Sequence, residues 1–232
     1  MILKWSLQQK GEDKMEKRVL CFGDSNTWGF NAKTEDRFSR DIRWTRKLQK
    51  ALGEDYEIIE EGLNGRNAVC EDQLKEGLKG IDYIYPCIMT HKPLDLVLIK
   101  LGTNDAKERY SMTPHNIAMG IIRLANKVKN NGTGINGNDP EILIVAPAPI
   151  GKGYMHCDAY LSMGKEADRK SVDMVPYLKA MAEENGFHFL DAGRFLSMGE
   201  TDHMHLDEEG HDKMASILND KIREIFNQKE MG

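Results

Sequence analysis

Short apolar runs alternate with amphipathic stretches along most of the chain. "RVLCFG" at 18–23 predicts a buried strand. "RDIRWTRKLQKAL" at 40–52 sets Ile42, Trp44, Leu48 and Leu52 at helical spacings. "YEIIEEG" at 56–62 predicts a second strand, closed by Gly62. Residues 71–90 read as helix in pieces, interrupted by Gly77, Gly80 and Pro86. "LDLVLIKLG" at 94–102 is nearly all apolar, as suits a strand covered on both faces. A helix over 114–130 has Pro114 near its first turn, and 131–140 is a loop. "EILIVAPAP" at 141–149 predicts the fourth strand and "FHFLDAG" at 187–193 the fifth. Between them 164–185 is mainly helical, with Pro176 expected to break or kink it; the last helix spans 207–226.

Strands that alternate with helices imply right-handed crossovers and a parallel sheet covered on both faces. The expected architecture is α/β: a three-layer α/β/α sandwich, flavodoxin-like, with about five parallel strands. No linker or composition shift divides 18–232, which read as one domain. Residues 1–17 are polar after Trp5 and lack a clear period, so they read as an N-terminal extension outside the core. In such sheets ligands bind beyond the carboxyl ends of the strands. Three loops there have unusual content: "GDSN" after the first strand, "GLNGRN" after the second and "GTND" after the third. Together they set Ser25, Gly65 and Asn104 along one edge of the sheet.

Composition narrows the classes of function. The net charge is −5 over 232 residues, with no basic stripe, so no nucleic-acid partner is expected. No apolar run is long enough to span a membrane, and the N-terminus makes no convincing signal peptide; the expected location is the cytoplasm. Cys21, Cys70, Cys87 and Cys157 are scattered without a CxxC pair, which predicts neither a zinc site nor a disulfide framework. Cys21 reads as a small core residue.

A lone serine at a strand tip is explained blandly by a turn and helix cap, since Gly, Asp, Ser and Asn all favour both. It is explained sharply as a nucleophile, which needs a base, a group to orient that base, and donors for an oxyanion. "TDHMHLDEEGHDKMA" supplies candidates: Asp202 lies three residues before His205, close enough in a turn to reach the Nδ1 side of that imidazole. His203 and His211 are rivals, the first pointing elsewhere in an extended turn and the second structural. His91, His115, His156 and His188 read as surface or packing residues.

The blocks GDSN, GLNGRN, GTND and DxxH, in this order and at matching strand ends, resemble the SGNH (GDSL-type) hydrolase superfamily. "CFGDSNTWGF", "EEGLNGRN", "KPLDLVLIKLGTND", "VAPAPI" and "FLDAG" are similar to its arylesterase/acyltransferase branch, over roughly 18–226. The resemblance implies a serine esterase, with Ser25 as nucleophile, His205 as base and Asp202 as acid. It implies an oxyanion hole from the N–H groups of Ser25 and Gly65 and the side-chain amide of Asn104. The implied substrate is a small-molecule ester, cleaved by water or transferred to another alcohol, with no metal and no organic cofactor. Related enzymes often form homo-oligomers whose subunits wall the site. An O-deacetylase of carbohydrates or small metabolites would use the same residues. A flavodoxin-like phosphate- or nucleotide-binding module is the rival from another class.

Asp24 and Asp105 are expected to brace loops by accepting backbone N–H bonds. Trp28 and Phe30 are expected to line the substrate pocket or to pack in the core. Asn26 stands where the commonest family string has Leu, with an expected effect on the polarity of the site. Loops at 80–93 and 150–165 are the expected places for substrate and oligomer contacts.

Overall fold

The alternating apolar runs become strands at the centre and helices outside. The structure, a computed structural model, describes residues 16–230. Residues 1–15 of the expected extension at 1–17 lie outside the described residues, and its last residue, Lys17, already belongs to the first strand. That strand, β1 (Lys17–Gly23), leads into a one-turn helix α1 (Ser25–Trp28). A small hairpin of β2 (Phe30–Asn31) and β3 (Asp36–Arg37) follows, then α2 (Trp44–Leu52) and β4 (Tyr56–Gly62). The middle of the chain forms α3 (Gly80–His91), β5 (Leu96–Lys100), α4 (Pro114–Asn126) and β6 (Glu141–Ala146). The last third holds α5 (Ala159–Met163), α6 (Ala167–Glu184), β7 (His188–Asp191) and α7 (Glu208–Glu230).

Five strands form one parallel sheet in the order β4-β1-β5-β6-β7. This is the flavodoxin-like order, in which the chain switches sides at the central pair β1/β5. Register aligns the strand ends: Gly23 lies opposite both Gly62 and Lys100. The loops leaving β1, β4 and β5 therefore start level, side by side.

Period-two alternation assigns the two faces. Leu20, Phe22, Val97 and Ile99 pack with Ile84 of α3, Ile121 of α4 and Met174 of α6. Val19, Cys21, Leu96 and Leu98 pack with Trp44 and Leu48 of α2 and Leu218 and Ile222 of α7. Fully burying one such side chain contributes about 1.5–3 kcal/mol. Among the described residues no helix is long and apolar enough to cross a membrane.

Two expected helix breaks do not occur. Pro86 lies inside α3 and Pro176 inside α6. Each removes one backbone N–H, but the carbonyls left without it, on Asp82 and Val172, sit on exposed residues where water can bond them. The expected 80–93 loop is consequently mostly the continuous helix α3, and Gly80 opens it rather than interrupting it. In α2 the helix starts at Trp44 rather than at residue 40, where the Trp44 N–H donates to His211 Nδ1 at 3.2 Å. The β2–β3 hairpin was not anticipated.

Candidate active site

Gly23 ends β1 and Asp24 caps α1, accepting the Asn26 N–H at 3.0 Å. Ser25 is the first residue of that helix, and Gly29, in the left-handed region, ends it one turn later. The loop from β4 lies against α1, because Gly62 has no side chain: a Cβ there would collide with the Trp28 backbone. Gly65, at φ 84°, makes the sharp turn that L side chains rarely adopt. Arg66 holds this loop to the sheet, donating to the carbonyls of Gly23 (3.0 Å) and Glu61, with its guanidinium over the Phe22 ring. Asn104 opens a short 3-10 turn after β5, and its amide donates to the Arg66 carbonyl at 3.1 Å, leaving its second N–H free of that bond.

Ser25, Gly65, Asn104, Asp202 and His205 all border one cleft of about 760 Å³. Ser25 Oγ lies 2.8 Å from His205 Nε2, and His205 Nδ1 lies 2.5 Å from Asp202 Oδ2. The other Asp202 oxygen accepts the N–H groups of Met204 (3.1 Å) and His205 (3.0 Å). Burial works against the ionised form of Asp202. The bond to His205, the charge on that ring and these two N–H groups outweigh it and hold the carboxyl below its usual value. Among the described residues, the N–H groups of Ser25 and Gly65 donate to no backbone or side-chain acceptor. Such an arrangement can take a proton from a hydroxyl, relay it, and present unpaired donors to a developing negative charge.

The rival histidines are elsewhere. The His203 ring lies against Gly151 and Gly153, away from the cleft lining. His211 is fully buried in α7, below α2. His91 pairs with Glu61, His188 with Glu141, and His115 meets Tyr177 edge-on. His156 is exposed and outside the lining. Of the two aromatics, Phe30 lines the cleft and its ring lies 4.5 Å from that of His205. Trp28 does not line it; its ring instead carries the Arg37 guanidinium. The turn after Gly29 explains the split, since it sends the chain back across the imidazole only from residue 30 on. The 150–165 segment contributes Cys157, Asp158, Ala159, Leu161 and Ser162 to the cleft.

Asp24 and Asp105 act as braces, Asp105 Oδ1 accepting the Ala68 N–H at 2.8 Å. Burial, the largest influence, pushes the Asp105 carboxyl up to about 6. Asn26 does not change the polarity of the cleft, because its side chain points away from it and is buried. Its amide donates to the Met204 carbonyl at 3.1 Å, and its oxygen accepts the Leu206 N–H at 2.8 Å. These two bonds bracket His205. Lys100, unremarked in an apolar strand, is fully buried 3.8 Å from Asp24. Asn26 departs from the common string and Arg66 lies within GLNGRN, so both had a sequence signal; their partners did not.

Away from the cleft, Glu61, Cys87 and His91 bring potential metal-ligand atoms within 4.8 Å of one another. Glu61 already pairs with His91 at 2.9 Å, and burial, then the Glu61 charge, pushes the Cys87 thiol up to about 12. The nearby Arg66 charge opposes a cation there.

Residues 21–213 match the family of GDSL-like lipases/acylhydrolases. The native aryl esterase of M. smegmatis is similar at 34% identity, covering 90% of this chain and 99% of that one, with a TM-score of 0.84. Est24, a carbohydrate acetylesterase from Sinorhizobium meliloti, is similar at 34% identity, covering 90% of this chain and 100% of that one, with a TM-score of 0.85. A lipolytic G-D-S-L protein from Veillonella parvula shares the fold at 20% identity, covering 86% and 94% of the two chains, with a TM-score of 0.57. No curated protein matches the chain.

Proposed function

The chain belongs to the family of GDSL-like lipases/acylhydrolases, and on that premise we propose that it cleaves short acyl esters through Ser25, His205 and Asp202. The supporting observation is the continuous line of short contacts from Ser25 Oγ through the His205 ring to Asp202. His205 Nε2 takes the hydroxyl proton as Oγ attacks the ester carbonyl. The oxyanion then accepts from the N–H groups of Ser25 and Gly65 and from Asn104 Nδ2. His205 returns the proton to the leaving alcohol, and an acyl-enzyme remains. Water, or a second alcohol, loses a proton to His205 and attacks the acyl carbon, regenerating Ser25. Asp202 stays ionised throughout, accepting the Nδ1–H and favouring the imidazolium.

The acceptor for the acyl group and the natural ester are readings within this scheme. Similarity to an aryl esterase and to a carbohydrate acetylesterase supports aryl esters and O-acetylated sugars as the first substrates to compare. A phosphate-binding reading of the GDSN loop has less support, since α1 is four residues long and Asp24 already accepts the Asn26 and Thr27 N–H groups. The deciding assay is turnover of p-nitrophenyl acetate. Ser25→Ala is expected to lower kcat on the order of 10⁶-fold, and a variant that retained most activity would refute the mechanism. Repeating the assay with an added alcohol and measuring the new ester separates transfer from hydrolysis.

A further inference from the structure

Lys107 stands in the loop that leaves β5, three residues after Asn104 and between the 3-10 turns Asn104–Ala106 and Glu108–Tyr110. It lines the cleft, yet the residue is only 4% exposed. Among the described residues its ammonium makes no hydrogen bond and no ion pair. Its nitrogen is not one of the enclosed polar atoms left without a partner, so the ammonium opens onto the cleft as a partly desolvated charge that an opposite charge would stabilise.

The other charges on the cleft are disposed differently. Arg109 is committed, 2.7 Å from Asp72 and donating to the Ser162 carbonyl at 2.9 Å. Lys75 is exposed. Of the acids, Asp202 is engaged by His205, and Glu35 and Asp158 are exposed. Burial, then the charge on Arg109, lowers the Lys107 pKa to about 8; Lys75 acts in the same direction, Asp72 and Asp105 against it. The group is therefore mainly cationic at neutral pH, and no acid of its own chain bonds it.

We propose that the cleft selects esters carrying an anionic group, a carboxylate in the simplest case, seated on the Lys107 ammonium. This rests on the esterase reading and names its substrate class. The carboxylate can belong to the acyl part or to the alcohol part.

The test uses the full chain and two matched pairs of esters. One is p-nitrophenyl hemiglutarate against its methyl ester, with the charge on the acyl side. The other is 4-acetoxybenzoate against methyl 4-acetoxybenzoate, with the charge on the alcohol side. The expected result is a kcat/KM ratio of about 10–100 in favour of the anion in at least one pair. Lys107→Met should lower that ratio at least tenfold, and Lys107→Arg should restore it. Raising the pH from 7 to 9 should erode it, because the ammonium is lost near a pKa of about 8. Ratios near one in both pairs, or a preference that survives Lys107→Met, overturn the inference. Should no ester be turned over at all, the esterase reading falls, and binding decides instead. Monomethyl glutarate is then titrated calorimetrically against dimethyl glutarate in the Ser25→Ala protein. Tighter binding of the monoanion, removed by Lys107→Met, supports the anion site, and equal binding overturns it.

Discussion

Beneath Ser25, the residues Asp24, Asn26, Thr27 and Lys100 are enclosed by protein, while Leu74 and Leu161 on the outer wall of the same cleft stand 75% and 86% exposed. Below, four side chains are tied to backbone, while Thr27 Oγ1 and Lys100 Nζ make no hydrogen bond among the described residues. Asp24 holds the Asn26 N–H, Asn26 holds Met204 and Leu206, Arg66 holds Gly23, and Asp105 holds Ala68. On the wall, neither leucine has polar atoms with which to fix its position. The contrast separates two tasks. The groups proposed to react sit where the backbone is over-determined, and the surface that would meet the rest of a substrate is free to change.

Substitutions on either side can break this division. Largest is His205→Ala, expected to lower kcat for p-nitrophenyl acetate on the order of 10⁶-fold, while His203→Ala keeps most of it. Comparable losses in the two variants would mean that the wrong imidazole carries the proton. Next is Asn26→Leu, which removes both bonds that bracket His205. A misplacement of the base on the scale of 1 Å can cost about 100-fold, so kcat should fall roughly 10–100-fold with KM little changed. A fall in KM-dependent terms alone would show that Asn26 shapes the pocket instead.

The third test reaches the back of the enclosed side. Burial, then the charges of Lys100 and Lys47, lowers the His211 pKa from 6.5 to about 3, with Asp207 and Asp212 pulling the other way. Between these values the unfolded chain binds a proton that the folded protein refuses. Stability from this group is therefore fully present at neutral pH and declines as the pH drops, by about 1.4 kcal/mol per unit. Urea unfolding of the wild type and of His211→Asn between pH 7 and 4 should give a shallower slope for the variant; parallel slopes would refute this. Smallest is Leu161→Ala on the wall, expected to change stability by no more than about 0.5 kcal/mol and kcat/KM for small esters only a few-fold.

Much of this was legible in the sequence because it depends on local pattern. Residues 96–99 are apolar at every step, which suits a strand covered on both sides, and β5 is such a strand. The three loop blocks follow from chain order, and the level register of Gly23, Gly62 and Lys100 brings them together. What escaped depends on partners distant in sequence. Pro86 and Pro176 look like breaks until their helix positions are known to face water. Asn26 looks like a pocket residue until the chain 178 residues later is laid beside it. Trp28 and Phe30 are indistinguishable as letters, and only the left-handed Gly29 between them decides which one meets the imidazole. Lys100 was hidden by its apolar neighbours, because an average over a run conceals one charge.

The parallel order β4-β1-β5 has a metric consequence. Ser25, Gly65 and Asn104 are each borne by one of three adjoining strands, whose separation is the roughly 4.8 Å repeat of any hydrogen-bonded sheet. On the proposed mechanism the sheet serves as a ruler for the carbonyl group, and lengthening or trimming the outer loops would alter which molecules arrive without recalibrating it.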